Sequence, residues 1–63
     1  MRARELTAAR KRLNLSQAKL AMALGLHWVT ISNYERGQDA IPKVVAVAIR
    51  ALEYEARGTR KTA

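Results

Sequence analysis

The chain has no cysteine, so neither a disulfide nor a thiolate metal site can reinforce it. Its single proline is Pro42, and its three glycines, Gly25, Gly37 and Gly58, fall where helices are expected to stop. No apolar run approaches the roughly 18 residues of a membrane span, and the N-terminal region lacks the apolar core of a signal peptide. A cytoplasmic protein with no membrane association is therefore expected. Internal repeats and low-complexity segments are also lacking. His27 has no cysteine, second histidine or helical carboxylate near it, which argues for a cap rather than a metal ligand. Ser16 and Ser32 have no base or orienting acid beside them, and no glycine-rich phosphate loop exists. Nothing here supports catalysis, a metal, a cofactor or a small-molecule ligand.

Acidic residues are scarce as well: five Asp and Glu against twelve Lys and Arg give a net charge of +7. The excess is uneven, at +4 over residues 1–15, +3 over 57–63 and −1 over 37–56. Basic ends around a near-neutral middle suit a protein that meets phosphate with its surface and another chain with its middle. At 63 residues the chain makes one small domain. A chain of this size buries only about 60% of the surface its unfolded form exposes, so marginal stability is expected, with a partner subunit as one source of support.

Hydrophobic periodicity and end signals divide the chain into four helices at about 3–13, 17–24, 28–36 and 42–57. The domain is then 1–58, followed by a frayed basic tail at 59–63. Leu6, Ala9 and Leu13 share one face of the first helix. Asn14 suits a left-handed C-terminal conformation, Ser16 is a good N-cap for the second helix, and Pro42 fits the first turn of the fourth. Within 17–36, Leu20, Leu24, Leu26, Ile31 and Tyr34 form the apolar set, Ala21 is small, and Gly25 sits at the bend. That is the spacing of a helix-turn-helix, and in so basic a chain it points at a DNA major groove.

The fourth helix has one narrow polar stripe of Lys43, Arg50, Glu53 and Arg57. Val44, Val45, Val47, Ala48, Ile49, Ala51, Leu52 and Ala56 cover most of the remaining circumference. Either this helix is central to the domain, or one face meets another subunit; the second reading is preferred. Val44, Val47, Ala51 and Tyr54 are the candidate interface. In the first helix Arg10 shares the apolar face, where a charge must reach solvent or find a partner. Glu35 is the best-placed carboxylate, and an Arg10–Glu35 ion pair is expected.

Leu13-Asn14-Leu15-Ser16-Gln17-Ala18-Lys19-Leu20-Ala21, then Leu24-Gly25-Leu26, then Thr30-Ile31-Ser32-Asn33-Tyr34-Glu35-Arg36-Gly37, resemble the lambda-repressor/Cro-like helix-turn-helix family, also called the xenobiotic-response-element family. The likeness runs from Leu6 to Tyr54. It implies an all-α, compact domain of four to five helices with a central helix-turn-helix, usually dimeric, with the third helix in the major groove and Gln17 on a phosphate. Phage repressors, antitoxins and controller proteins share this plan, which implies a bacterial or phage-encoded, nucleoid-associated protein. Three departures stand out. Lys19 replaces the usual Glu, so the capping box opened by Ser16 is not completed. His27 replaces the usual Ser, Thr or Asp cap, which leaves that helix end less well satisfied. After Tyr54 the sequence becomes charged and leaves no room for a fifth helix.

The exposed face of the third helix should present Trp28, Val29, Ser32 and Asn33, with Thr30 beside them, as base-reading candidates. Asn33 can read adenine with one donor and one acceptor, and Val29 or the Thr30 methyl can meet a thymine methyl group. Trp28 either packs on DNA or folds back as a hydrophobic staple. Gln17, at a helix N-terminus, is a phosphate candidate, as are Arg36 and Lys43 around the loop and Arg12 and Lys19 with freer geometry. The leading expectation is a transcriptional regulator of double-stranded DNA, a homodimeric repressor acting by operator occlusion. The alternative is a protein-interaction module or antitoxin whose fourth helix binds a partner protein.

Overall fold

The computed structural model describes the backbone of residues 1–62 and the side chains of residues 1–57. Its elements are α1 (Ala3–Arg12), α2 (Gln17–Leu24), α3 (Trp28–Glu35) and α4 (Lys43–Thr62), with no strand among the described residues. The protein is all-α, and its elements follow from local chemistry at each helix end. The Glu5 carboxylate accepts the Arg2 backbone N–H at 2.7 Å and so closes the start of α1. Arg2 cannot return the bond, because a guanidinium has no acceptor. At the far end Leu13 caps α1, and Asn14 takes the left-handed conformation, φ 58°.

The helix-turn-helix is built in the same way. Ser16 Oγ accepts the Lys19 N–H at 3.1 Å, satisfying one of the free donors of the first turn. Gly25 ends α2 at φ 70°, ψ 30°, a left-handed conformation that a side chain would strain. No atom lies within 4 Å of where a Gly25 Cβ would be, so the backbone angle alone asks for glycine there. The small residue at the helix contact is Ala21, which is buried.

Leu6, Ala9, Leu20, Ala21, Ile31, Tyr34, Val45 and Ile49 make a single core drawn from all four helices. Leu15, Leu24, Leu26, Ile41 and Leu52 pack around it, partly buried. Leu6, Leu20, Ile31 and Ile49 are completely enclosed, each worth about 1.5–3 kcal/mol of burial relative to exposure. These four tie one residue of every helix into one cluster, which fixes α3 relative to the rest.

Four boundaries differ from the sequence expectation. Leu13 and Arg36 are C-caps rather than last helical residues, a shift within the usual spread of helix ends. Pro42 lies one residue ahead of α4 and offers its carbonyl to the N–H groups of Val45 and Ala46 at 3.0 and 3.1 Å. The fourth difference is larger. Gly58 does not end α4, which continues to Thr62, so residues 59–62 are helical and not a frayed tail. Ala63 lies outside the described residues. A single glycine costs a helix only about 1 kcal/mol relative to alanine, and the basic residues Arg57, Arg60 and Lys61 favour a helix C-terminus.

The 20-residue α4 spans about 30 Å at the helical rise and accounts for most of the 39 Å long axis of a molecule only 19 by 17 Å across. It is not central. Val45, Ala46 and Ile49 face the core, while Val44, Val47, Ala51 and Tyr54 face solvent.

Candidate nucleic-acid interface

The recognition-helix candidate, α3, divides cleanly. Ile31 and Tyr34 are buried, whereas Trp28 and Val29 are exposed and Thr30, Ser32 and Asn33 are half-buried. Trp28 is 52% exposed and stacks on His27, with ring centroids 6.1 Å apart. About half of it is therefore open to solvent. His27 itself corrects an expectation: its Nδ1 accepts the Val29 N–H at 3.2 Å, so an imidazole caps the helix in place of a hydroxyl or carboxylate. The apolar platform of Trp28 and Val29 is thereby held at the N-terminal end of α3, the end a helix-turn-helix turns toward base edges.

At the other end of α3, Glu35 gathers three elements. Arg10 of α1 donates from Nε to Glu35 Oε2 at 2.6 Å and from Nη2 to Oε1 at 3.2 Å, while its Nη1 reaches the Leu15 carbonyl at 3.0 Å. Gln17 of α2 donates its side-chain amide to Glu35 Oε1 at 3.3 Å. The bidentate pair is largely enclosed, its side chains 15% and 8% exposed. Burial pushes the Glu35 carboxyl up, but hydrogen bonds from Arg10 and Gln17 outweigh it and hold the carboxyl below its ordinary value. The Thr7 hydroxyl lies close enough to add to this. It also donates to the Ala3 carbonyl at 3.3 Å, and its one proton serves one acceptor at a time. The network positions α3 against α1 and the start of α2.

The cationic candidates separate. Lys19 and Lys43 are exposed and, among the described residues, carry no ion pair or side-chain hydrogen bond. Gln17 uses one amide proton on Glu35 and keeps the other for a phosphate. Arg36, the C-cap of α3, donates from Nη2 to Asn33 Oδ1 at 2.8 Å. Arg12 departs from expectation. Its geometry is not free: Nε donates to Glu53 of α4 at 2.8 Å, and the paired carboxylate raises the guanidinium's own pKa. Arg12 is drawn to α4 rather than toward α3. Sequence reasoning missed this pair, since Glu53 stands 41 positions away, and also the Asn33–Arg36 bond. The i, i+3 spacing of Asn33 and Arg36 on one helix was signal enough for the second.

A family model described as Helix-turn-helix matches residues 6–52. The chain belongs to the lambda-repressor/Cro-type helix-turn-helix family. No curated protein and no solved structure matches it. The matched span opens in α1 and closes at Leu52 in α4, and so takes in the buried core residues of all four helices together with the Arg10–Glu35–Gln17 network. This helix-turn-helix protein is a DNA-binding regulator in the general sense of its family. No described helix is long and apolar enough to cross a membrane, and among the described residues no cluster could hold a metal ion.

Proposed function

We propose that the protein is a sequence-specific, homodimeric repressor that occludes a short operator in duplex DNA in the cytoplasm. The observation that carries this reading is the face of α3. Two apolar side chains, Trp28 and Val29, stand exposed beside the polar groups of Ser32 and Asn33, on a helix whose opposite face is locked in the core. An exposed tryptophan and valine are hard to explain on a marginally stable domain unless something covers them. Thymine methyl groups and sugar edges provide such a cover, with Asn33 supplying a bidentate adenine contact. Arg36, Lys43 and Lys19 neutralise phosphate alongside, and the Gln17 carbonyl–amide group sits at the free N–H groups of α2, where an anion is favoured. Arg12, paired with Glu53, has no part in this set.

The homodimer rests on α4. Val44, Val47 and Tyr54 are 73%, 56% and 77% exposed, and with exposed Ala51 they recur at intervals of three, four and three. That is the spacing of a helical seam that meets a second helix. A two-fold pair would present two α3 helices to half-sites roughly 34–36 Å apart. The same face supports a second reading, in which α4 takes an unlike protein as an antitoxin does.

Selection of bound duplexes from a random pool at about 150 mM salt tests the proposal. An enriched inverted repeat is the expected outcome. Binding without any enriched sequence, fading steeply with salt, would leave only phosphate attraction and overturn it.

A further inference from the structure

Asn33 is held from two directions. Its backbone carbonyl accepts the Gln38 N–H at 2.9 Å from the loop that follows α3. Its side-chain Oδ1 accepts Arg36 Nη2 at 2.8 Å. Arg36 is itself fixed at the helix end, with φ −83° and ψ −3° and its backbone N–H on the Ser32 carbonyl at 3.0 Å, just before Gly37 turns the chain at φ 75°. The donor of this bond is therefore attached to a determined piece of backbone.

We infer that Arg36 is a positioning residue for base reading, which sets the orientation of the Asn33 amide and so makes it adenine-specific. This rests on the proposed DNA-reading role of α3. A carboxamide on a helix surface can turn over and exchange its oxygen and nitrogen ends, and the two orientations suit different base edges. A guanidinium has only donors, so it accepts only the oxygen end. With Arg36 on one lone pair, Oδ1 keeps its second lone pair and Nδ2 keeps both protons. One remaining acceptor and one donor, side by side, are what adenine N6–H and N7 require. Guanine offers two acceptors at the same places and would leave Oδ1 facing O6. The remaining nitrogens of Arg36 stay available to a phosphate, so a contact commonly treated as blind to sequence is here tied to a base reader.

The test compares wild type with Arg36→Ala, Arg36→Lys, Asn33→Ala and the double variant Asn33→Ala/Arg36→Ala, each carried through selection from the random duplex pool. Total affinity for the best duplex and its salt dependence are measured in parallel. Asn33→Ala identifies the base-pair column that Asn33 reads. Arg36→Ala is expected to lower the adenine preference in that same column by about fivefold or more, the low end of what a bidentate contact confers, and the double variant to lower it no further than Asn33→Ala alone. Arg36→Lys keeps the charge without the fixed planar fork, so the column flattens while the salt dependence stays close to wild type. The inference is overturned if Arg36→Ala and Arg36→Lys weaken all duplexes alike and leave that column sharp. It is also overturned if the losses at Asn33 and Arg36 add in full. Failure of the underlying reading looks different: wild type itself then enriches no sequence, and no column exists to flatten. Circular dichroism of each variant separates these outcomes from a lost fold, Arg36 being exposed and Asn33 half-buried outside the core.

Discussion

On the α3 side of α1, Arg10 meets Glu35 with side chains 15% and 8% exposed; on the α4 side, two residues further on, Arg12 meets Glu53 with side chains 63% and 19% exposed. Both are arginine–carboxylate pairs of 2.6 and 2.8 Å, yet they do different things. The first is bidentate, shares its carboxylate with Gln17 and spends its last nitrogen on a backbone carbonyl. Removing one partner would strand a charge away from water. The second is open on its Arg12 side, where a long side chain loses as much in freedom as it gains in attraction. The contrast extends to the helices themselves. The α1, α2 and α3 unit ties its buried charge internally but leaves Met22, Trp28 and Val29 open, while α4 packs on one face and leaves Val44, Val47 and Tyr54 open. The proposed function assigns the enclosed network to holding α3 steady and the open face of α4 to a second chain.

The largest effect should come from breaking the enclosed pair. Arg10→Ala is expected to cost about 2–4 kcal/mol, a large share of the roughly 3–9 kcal/mol available to a domain of this size. Thermal unfolding should show a sharply lowered midpoint or no cooperative transition at all. Acid sharpens the same comparison. The Glu35 carboxyl lies below its ordinary value of 4.5 when folded, so its contribution is fully present above that value and is lost as pH falls through the lower, folded one. Glu5, held down by the Arg2 N–H, acts in the same direction. Denaturant midpoints followed downward from about pH 6 should decline below about pH 4.5, and the decline should be shallower in Glu35→Gln.

Smaller effects follow at the helix ends and on the open side. Ser16→Ala removes the cap of α2 and should cost about 1 kcal/mol, seen as a shifted urea midpoint with unchanged slope. Val47→Glu, at an exposed position, should change the stability of the single chain by no more than about 0.5 kcal/mol while abolishing self-association in sedimentation. Arg12→Ala should be smallest, its midpoint indistinguishable from wild type within error, because the pair it breaks is already open to solvent on the Arg12 side.

What the sequence displays legibly is chemistry that a residue settles with its near neighbours. Ser16 caps, Asn14 and Gly25 turn left-handed, and Ile31 and Tyr34 face inward because backbone donors, φ angles and helical period decide these matters within a few positions. Arg10 was legible for a related reason: a charge on an apolar stripe must find a carboxylate, and few were available. Arg12–Glu53 was not, since it depends on where α4 lies against α1, which only the packed core determines. Gly58 misled because a glycine's cost to a helix is small and its neighbours favour continuation. His27 was legible as a cap; only the expectation that it would leave the helix end less well satisfied needs correcting, since Nδ1 accepts the Val29 N–H. In the candidate interface the outward Trp28 and Val29 could be read from helical period, and the i, i+3 spacing of Asn33 and Arg36 was an unused signal for the bond that joins them.

The most direct test of this division of labour is the mass of the complex formed on the selected duplex, measured for wild type and Val47→Glu. Two chains per duplex for wild type, and one for Val47→Glu with an unchanged half-site preference, would agree with a self-sufficient reading unit joined through α4. One chain on the full duplex for wild type, or two chains for Val47→Glu at undiminished affinity, would contradict it.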